Sequence, residues 1–157
     1  LIKSVYVNST PSALFTAQNN EGCPSLCVQF TNNSTIGSGN IETNQWIFGD
    51  NSSPDYSQNP IHCYSTGNYQ VTLKVVSDSG CISNSTIPNL VNVYPTPIAD
   101  FNVTPDEVEV TMPLIEVEDK SIGANTISYI FNDGTTKNTP NFAHTFNTVD
   151  AKKVAIM

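Results

Sequence analysis

The sequence contains no arginine, and its six basic residues, all lysines, are outnumbered by 14 Asp and Glu, for a formal charge of −8 over 157 residues. A nucleic-acid binder needs clustered cations to displace counterions from phosphate, and an anionic membrane surface makes the same demand. Neither nucleic acid nor an acidic membrane is therefore expected as a partner. No apolar run approaches the roughly 18–20 residues of a membrane-spanning helix, so no direct membrane insertion is expected either. Ten prolines and eight glycines are spread along the chain and interrupt any long helix. A Gly-rich phosphate loop and a Gly-x-Ser-x-Gly nucleophile elbow are both missing, and catalysis is not expected. The chain starts at Leu1 without a methionine or a visible signal peptide, and reads as an internal fragment of a longer protein.

Asn, Ser and Thr are abundant instead. Their side chains compete with helical hydrogen bonds and favour strands and turns. The four cysteines all lie between Cys23 and Cys81. Cys23 and Cys27 are closely spaced, but Cys63 and Cys81 do not form a close second pair, so the pattern suits two disulfides better than a zinc site. Disulfides imply an oxidising compartment, and hence an extracellular or cell-surface location.

The chain also repeats itself. Thr10-Pro11-Ser12-Ala13-Leu14-Phe15-Thr16 returns as Thr96-Pro97-Ile98-Ala99-Asp100-Phe101-Asn102. The runs before them, Leu1–Val7 and Leu90–Tyr94, are also alike. Trp46-Ile47-Phe48-Gly49-Asp50-Asn51 matches Tyr129-Ile130-Phe131-Asn132-Asp133-Gly134, and Asn59-Pro60-Ile61-His62-Cys63-Tyr64 matches Asn141-Phe142-Ala143-His144-Thr145-Phe146. The frame assigns residues 1–7 to the last strand of a preceding unit and 8–94 to one complete unit. Residues 95–157 form an incomplete second unit without its final strand, with Val154–Met157 corresponding to Val71–Lys74. Strands are expected at Ala13–Ala17, Leu26–Asn32, Ile41–Phe48, Ile61–Tyr64, Tyr69–Ser77 and in a long run ending at Tyr94. Tyr69, Val71, Leu73 and Val75 alternate with wet residues at period two, as on a half-buried strand. The expected fold is all-β: tandem immunoglobulin-like β-sandwiches, the second incomplete.

At these residues the sequence resembles the PKD domain family. The resemblance rests on Trp46-Ile47-Phe48-Gly49-Asp50, Asn59-Pro60-Ile61-His62-Cys63-Tyr64 and Gly67-Asn68-Tyr69-Gln70-Val71-Thr72-Leu73, in the family's order and spacing. The second unit is a weaker copy, with Tyr129, Asn132 and Phe146 at motif positions. The Asn- and Thr-rich style, the Val93-Tyr94-Pro95-Thr96-Pro97 linker and the cysteines resemble PKD arrays of large Bacteroidetes surface proteins exported by the type IX system, including gliding-motility adhesins.

His62 and His144 occupy one slot in both units, and the resemblance implies a hydrogen-bonded core imidazole rather than a catalytic base. Asp50 and Asp133 stand where a turn begins and can accept backbone N–H bonds. Asp50, Asp55 and Asp78 are the weak candidates for calcium, which some PKD domains bind, although their spacing forms no EF-hand loop. No other cofactor is expected. Trp46 and Tyr129 could be carbohydrate-stacking platforms, but alternation with Phe48 and Phe131 points them into the core. In the immunoglobulin-like topology Cys27 and Cys63 point outward from antiparallel neighbours, making Cys27–Cys63 the preferred disulfide. Sequences of this style also suggest Cys23–Cys81, although the topology places those two at opposite ends of the sandwich, nearly 30 Å apart by a nine-residue strand. Six glycosylation sequons begin at Asn8, Asn32, Asn33, Asn51, Asn84 and Asn102.

The function expected is a non-catalytic extracellular spacer or adhesion segment, with neighbouring repeats, surface polysaccharide or other surface proteins as partners. The alternatives are an accessory carbohydrate- or substrate-binding module of a secreted hydrolase, and a calcium-stiffened structural repeat.

Overall fold

The computed structural model describes residues 7–109, 111, 113–146 and 154–156, which divide into two compact units at Pro95/Thr96. Leu1–Tyr6 and Met157, assigned above to strands, lie outside the described residues. The described elements are all β-strands.

The first unit contains β1 (Phe15–Gln18), β2 (Glu21–Gly22), β3 (Leu26–Asn32), β4 (Ile41–Ile47), β5 (Ile61–Tyr64), β6 (Gly67–Ser77) and β7 (Ile82–Val93). They form a three-stranded sheet in the order β1-β3-β5 and a four-stranded sheet in the order β2-β7-β6-β4. The central strands alternate. Val28 and Phe30 of β3 are buried, as are Val71, Leu73 and Val75 of β6, while the residues between them are wetter. Side chains from both sheets meet in one core around Trp46, Phe30, Phe15, Phe48 and Tyr64. This is an immunoglobulin-like β-sandwich.

Local chemistry sets the irregularities. The β6–β7 hairpin turns through Asp78-Ser79-Gly80, with Gly80 at φ +80°, and Ser77 exchanges backbone and hydroxyl bonds with Cys81. Further along, Tyr69↔Val91 is followed by Val71↔Ile87, so β7 carries two extra residues there. Pro88, which has no N–H to give a ladder, and Asn89 at φ +49° occupy that bulge. One strand was not expected from the sequence. The two-residue β2 runs parallel to Asn92–Val93 at the end of β7, too short for any periodicity to reveal.

The second unit contains β8 (Phe101–Thr104), β9 (Leu114–Asp119), β10 (Tyr129–Phe131), β11 (Thr136–Lys137), β12 (Phe142–Thr145) and β13 (Val154–Ile156). Its sheets are ordered β12-β9-β8 and β11-β10-β13. Ile115, Val117, Tyr129, Phe131 and Phe146 form its core. β13 pairs with β10 antiparallel, as β6 pairs with β4 in the first unit.

Candidate functional site

The most constrained polar feature of each unit is an aspartate–histidine clasp. In the first unit β4 ends in Trp46 and Ile47, Phe48 follows in the core, and Gly49 takes φ +81°. A Cβ at Gly49 would collide with the Gln70 carbonyl, so the backbone passes there only as glycine. This passage delivers Asp50 to His62 on β5, with Asp50 Oδ2 and His62 Nε2 2.7 Å apart. The other oxygen, Oδ1, accepts from the Ser52 backbone N–H at 3.1 Å and the Ser52 hydroxyl at 2.6 Å. The imidazole stacks on Phe48 with ring centres 3.9 Å apart and planes 5° apart.

The second unit builds the same object. Asp133 Oδ2 lies 2.9 Å from His144 Nε2, and Asp133 Oδ1 accepts from Thr135 N and Oγ1 at 2.9 and 2.7 Å. His144 stacks on Phe131 at 4.0 Å. In each unit the aspartate follows a strand of one sheet and the histidine belongs to the other sheet, so the clasp bolts the two sheets together.

Burial works against the ionised Asp50, but hydrogen bonds from His62 and Ser52 outweigh it and hold the carboxyl at about 2, against an ordinary 3.8. Asp133 is likewise held at about 2, chiefly by the Thr135 side chain and backbone, with His144 adding. With the carboxylate ionised and accepting, Nε2 carries the proton. The arrangement differs from a catalytic triad at the decisive point: the Ser52 hydroxyl bonds the carboxylate, whereas a nucleophile must bond the imidazole.

A pH dependence follows. A depressed carboxyl pKa contributes stability that is complete above the unfolded value of 3.8 and is lost as pH falls through about 2. Asp50→Ala should cost roughly 1–2 kcal/mol at pH 7. Urea titrations of parent and variant should converge as pH drops from about 4 to about 2; a constant gap would show that the clasp is not the cause.

From the sequence Asp50 reads as a turn residue and His62 as a core group, each on its own. The available signal was that both recur at matched positions, as Asp50/His62 and Asp133/His144.

Cys27 and Cys63 face each other directly in the β3–β5 register, both on the exposed side, and form a disulfide. Cys23–Cys81 is not formed, and both thiols are free. Cys23 follows β2, which is paired to the end of β7, while Cys81 precedes the start of β7. The twelve residues of β7 separate them, roughly 35–40 Å at strand rise, against the ~7 Å a disulfide tolerates.

The three calcium candidates are each used locally. Asp55 Oδ1 accepts from Ser57 N at 2.7 Å, Asp78 Oδ2 accepts from Asn40 N at 2.8 Å, and Asp50 serves the clasp. Among the described residues, His, Cys, Asp and Glu side chains do not converge in groups of three or more. Trp46 and Tyr129 are fully buried, and the Trp46 indole N–H donates to the Ser57 carbonyl at 2.9 Å. Tyr69 is half-buried, and its hydroxyl donates to the Ser65 and Thr66 carbonyls at 3.1 and 3.3 Å. Tyr64 lies in the core, its hydroxyl without a hydrogen-bond partner; burial, with Asp50 and Tyr69, pushes that phenol well above its ordinary value.

The PKD domain family model matches residues 8–93, more than half of the chain and every element of the first sandwich. The chain belongs to the PKD domain family. PKD domains are typically non-catalytic modules of secreted or extracellular proteins. Among solved structures, the PKD1 domain of Vibrio anguillarum Epp is 28% identical over 55% of this chain and 99% of its own length, with a TM-score of 0.48. The PKD1 domain of the Vibrio cholerae metalloprotease PrtV is 29% identical over 54% of this chain and 99% of its own, with a TM-score of 0.46. A structure from work on carbohydrate-binding modules of the β-sandwich superfamily is 17% identical, covers 96% of this chain and 85% of its own, and has a TM-score of 0.52, a likeness of fold. No curated protein matches the chain.

Proposed function

We propose that the chain is a non-catalytic spacer and adhesion segment of a large cell-surface protein, built from tandem PKD units: one complete unit over 8–94 and a second beginning at 95. The observation that supports this most is the clasp itself. Two successive units devote their most constrained Asp and His to holding sheets together, at 2.7 and 2.9 Å, and leave neither group free for chemistry. The Cys27–Cys63 bond on the exposed sheet face suits an oxidising exterior, and the absence of a long apolar helix among the described residues gives no sign of a membrane span there. A surface protein of the gliding-adhesin kind exported by the type IX route fits the linker and composition. Its partners on this reading are neighbouring units, surface polysaccharide or other surface proteins.

Antibodies raised against the folded chain test the location. Intact, unpermeabilised source cells should stain, and brief external protease should remove the stain; staining that appears only after permeabilisation would overturn the proposal.

A further inference from the structure

The second unit carries a polar cleft that the clasp does not use. β9 ends at Asp119, and residues 120–128 loop outward before β10, with Gly123 at φ +75°. The segment between β11 and β12 forms the opposite wall. Between them lies a space of about 650 Å³ lined by Asp119, Asn125, Ile127, Ser128, Asn138 and Pro140. That size suits a small ligand.

Beside Asp119 the two units differ at one core position. In the first unit that position is Trp46, whose indole N–H reaches the carbonyl of Ser57 in the following loop. In the second unit it is Tyr129, whose ring reaches less far. Its hydroxyl is buried beside the Asp119 carboxylate, and burial together with that carboxylate pushes the phenol up to about 12. Asp119 Oδ1 accepts from the Ser121 N–H at 3.0 Å, which fixes the carboxylate at the mouth of the cleft.

We propose that this cleft binds a neutral pyranose unit of a polysaccharide. A fixed carboxylate can accept from vicinal sugar hydroxyls, the amides of Asn125 and Asn138 can donate to sugar oxygens, and Ile127 and Pro140 offer an apolar flank to ring C–H groups. The Asp119 carboxyl is held below its ordinary value by Ser121, so the cleft stays anionic and disfavours acidic sugars. The proposal deepens the adhesion reading by naming a ligand class.

Amide-resolved NMR titration of the whole chain tests it, with maltotriose, cellotriose and xylotriose as probes to about 20 mM, well above millimolar affinity. At least one probe should shift the Asn125 and Asn138 side-chain amides saturably. Asp119→Asn, which keeps the acceptor for Ser121, should weaken that binding about tenfold. Asn138→Ala, at an exposed position, should weaken it about threefold without disturbing the fold. Absence of shifts with all three sugars, shifts confined to the first unit, or a response to calcium chloride alone would each overturn the proposal. Those outcomes would leave the surface location, read by antibody staining, untouched.

Discussion

Reduction should lower the melting temperature of the first unit by about 15–30 °C and leave the second unit's transition where it is. Cys27 and Cys63 are 36 residues apart in sequence, and their bond closes that loop in the unfolded chain as well as in the folded one. Loop-closure entropy for this span is worth about 4 kcal/mol, and each kcal/mol moves the midpoint of a domain this size by about 4–8 °C. The second unit contains no cysteine between Thr96 and Met157, so it is the internal control. Calorimetry with and without reductant, or of Cys27→Ala/Cys63→Ala, makes the measurement. A common shift of both transitions would mean that the two units do not unfold independently. An unchanged first transition would mean that the bond does not constrain the unfolded chain as supposed.

Phe30→Ala should be the most damaging single truncation, costing about 3–5 kcal/mol. Phe30 is completely buried at the centre of the three-stranded sheet. Its ring centre lies 5.6 Å from that of Trp46, 5.5 Å from Phe48 and 6.4 Å from Phe15, so truncation opens a hole where both sheets meet. The cost combines lost apolar transfer with the cavity left behind, and packed aromatic neighbours cannot easily collapse to fill it. Trp46, the chain's single tryptophan, remains in the variant as a fluorescent reporter. Urea unfolding followed by its emission should show a lower midpoint at unchanged slope. Phe48 touches His62 directly, so some clasp stability should be lost with Phe30 as well.

Much of this was legible in the sequence because strand burial writes itself at period two. Leu26–Asn32 and Ile61–Tyr64 have the bounds expected of them, and outward Cys27 and Cys63 follow from inward Val28 and Tyr64. What escaped has physical reasons. β2 is two residues long and is held by pairing with β7, so no local pattern encodes it. The expected strand at Ala13–Ala17 runs instead over Phe15–Gln18, because the Leu14 N–H is taken by the Ser34 hydroxyl rather than by a ladder carbonyl. The clasp joins residues twelve apart through a loop whose path depends on Gly49, and a three-dimensional contact of that kind leaves only matched positions behind. The cleft at Asp119 is walled by loop residues before β10 and after β11, which carry no periodic pattern for a sequence to show.

The most direct measurement is a non-reducing peptide map of the chain taken from its source cells, alkylated before digestion with chymotrypsin. An extracellular, disulfide-stapled sandwich should give the peptide containing Cys27 joined to the peptide containing Cys63. Cys23, whether cut from Cys27 at Leu26 or still attached to it, and Cys81 should each carry an alkyl group. Alkyl groups on all four cysteines would contradict the oxidised, extracellular module.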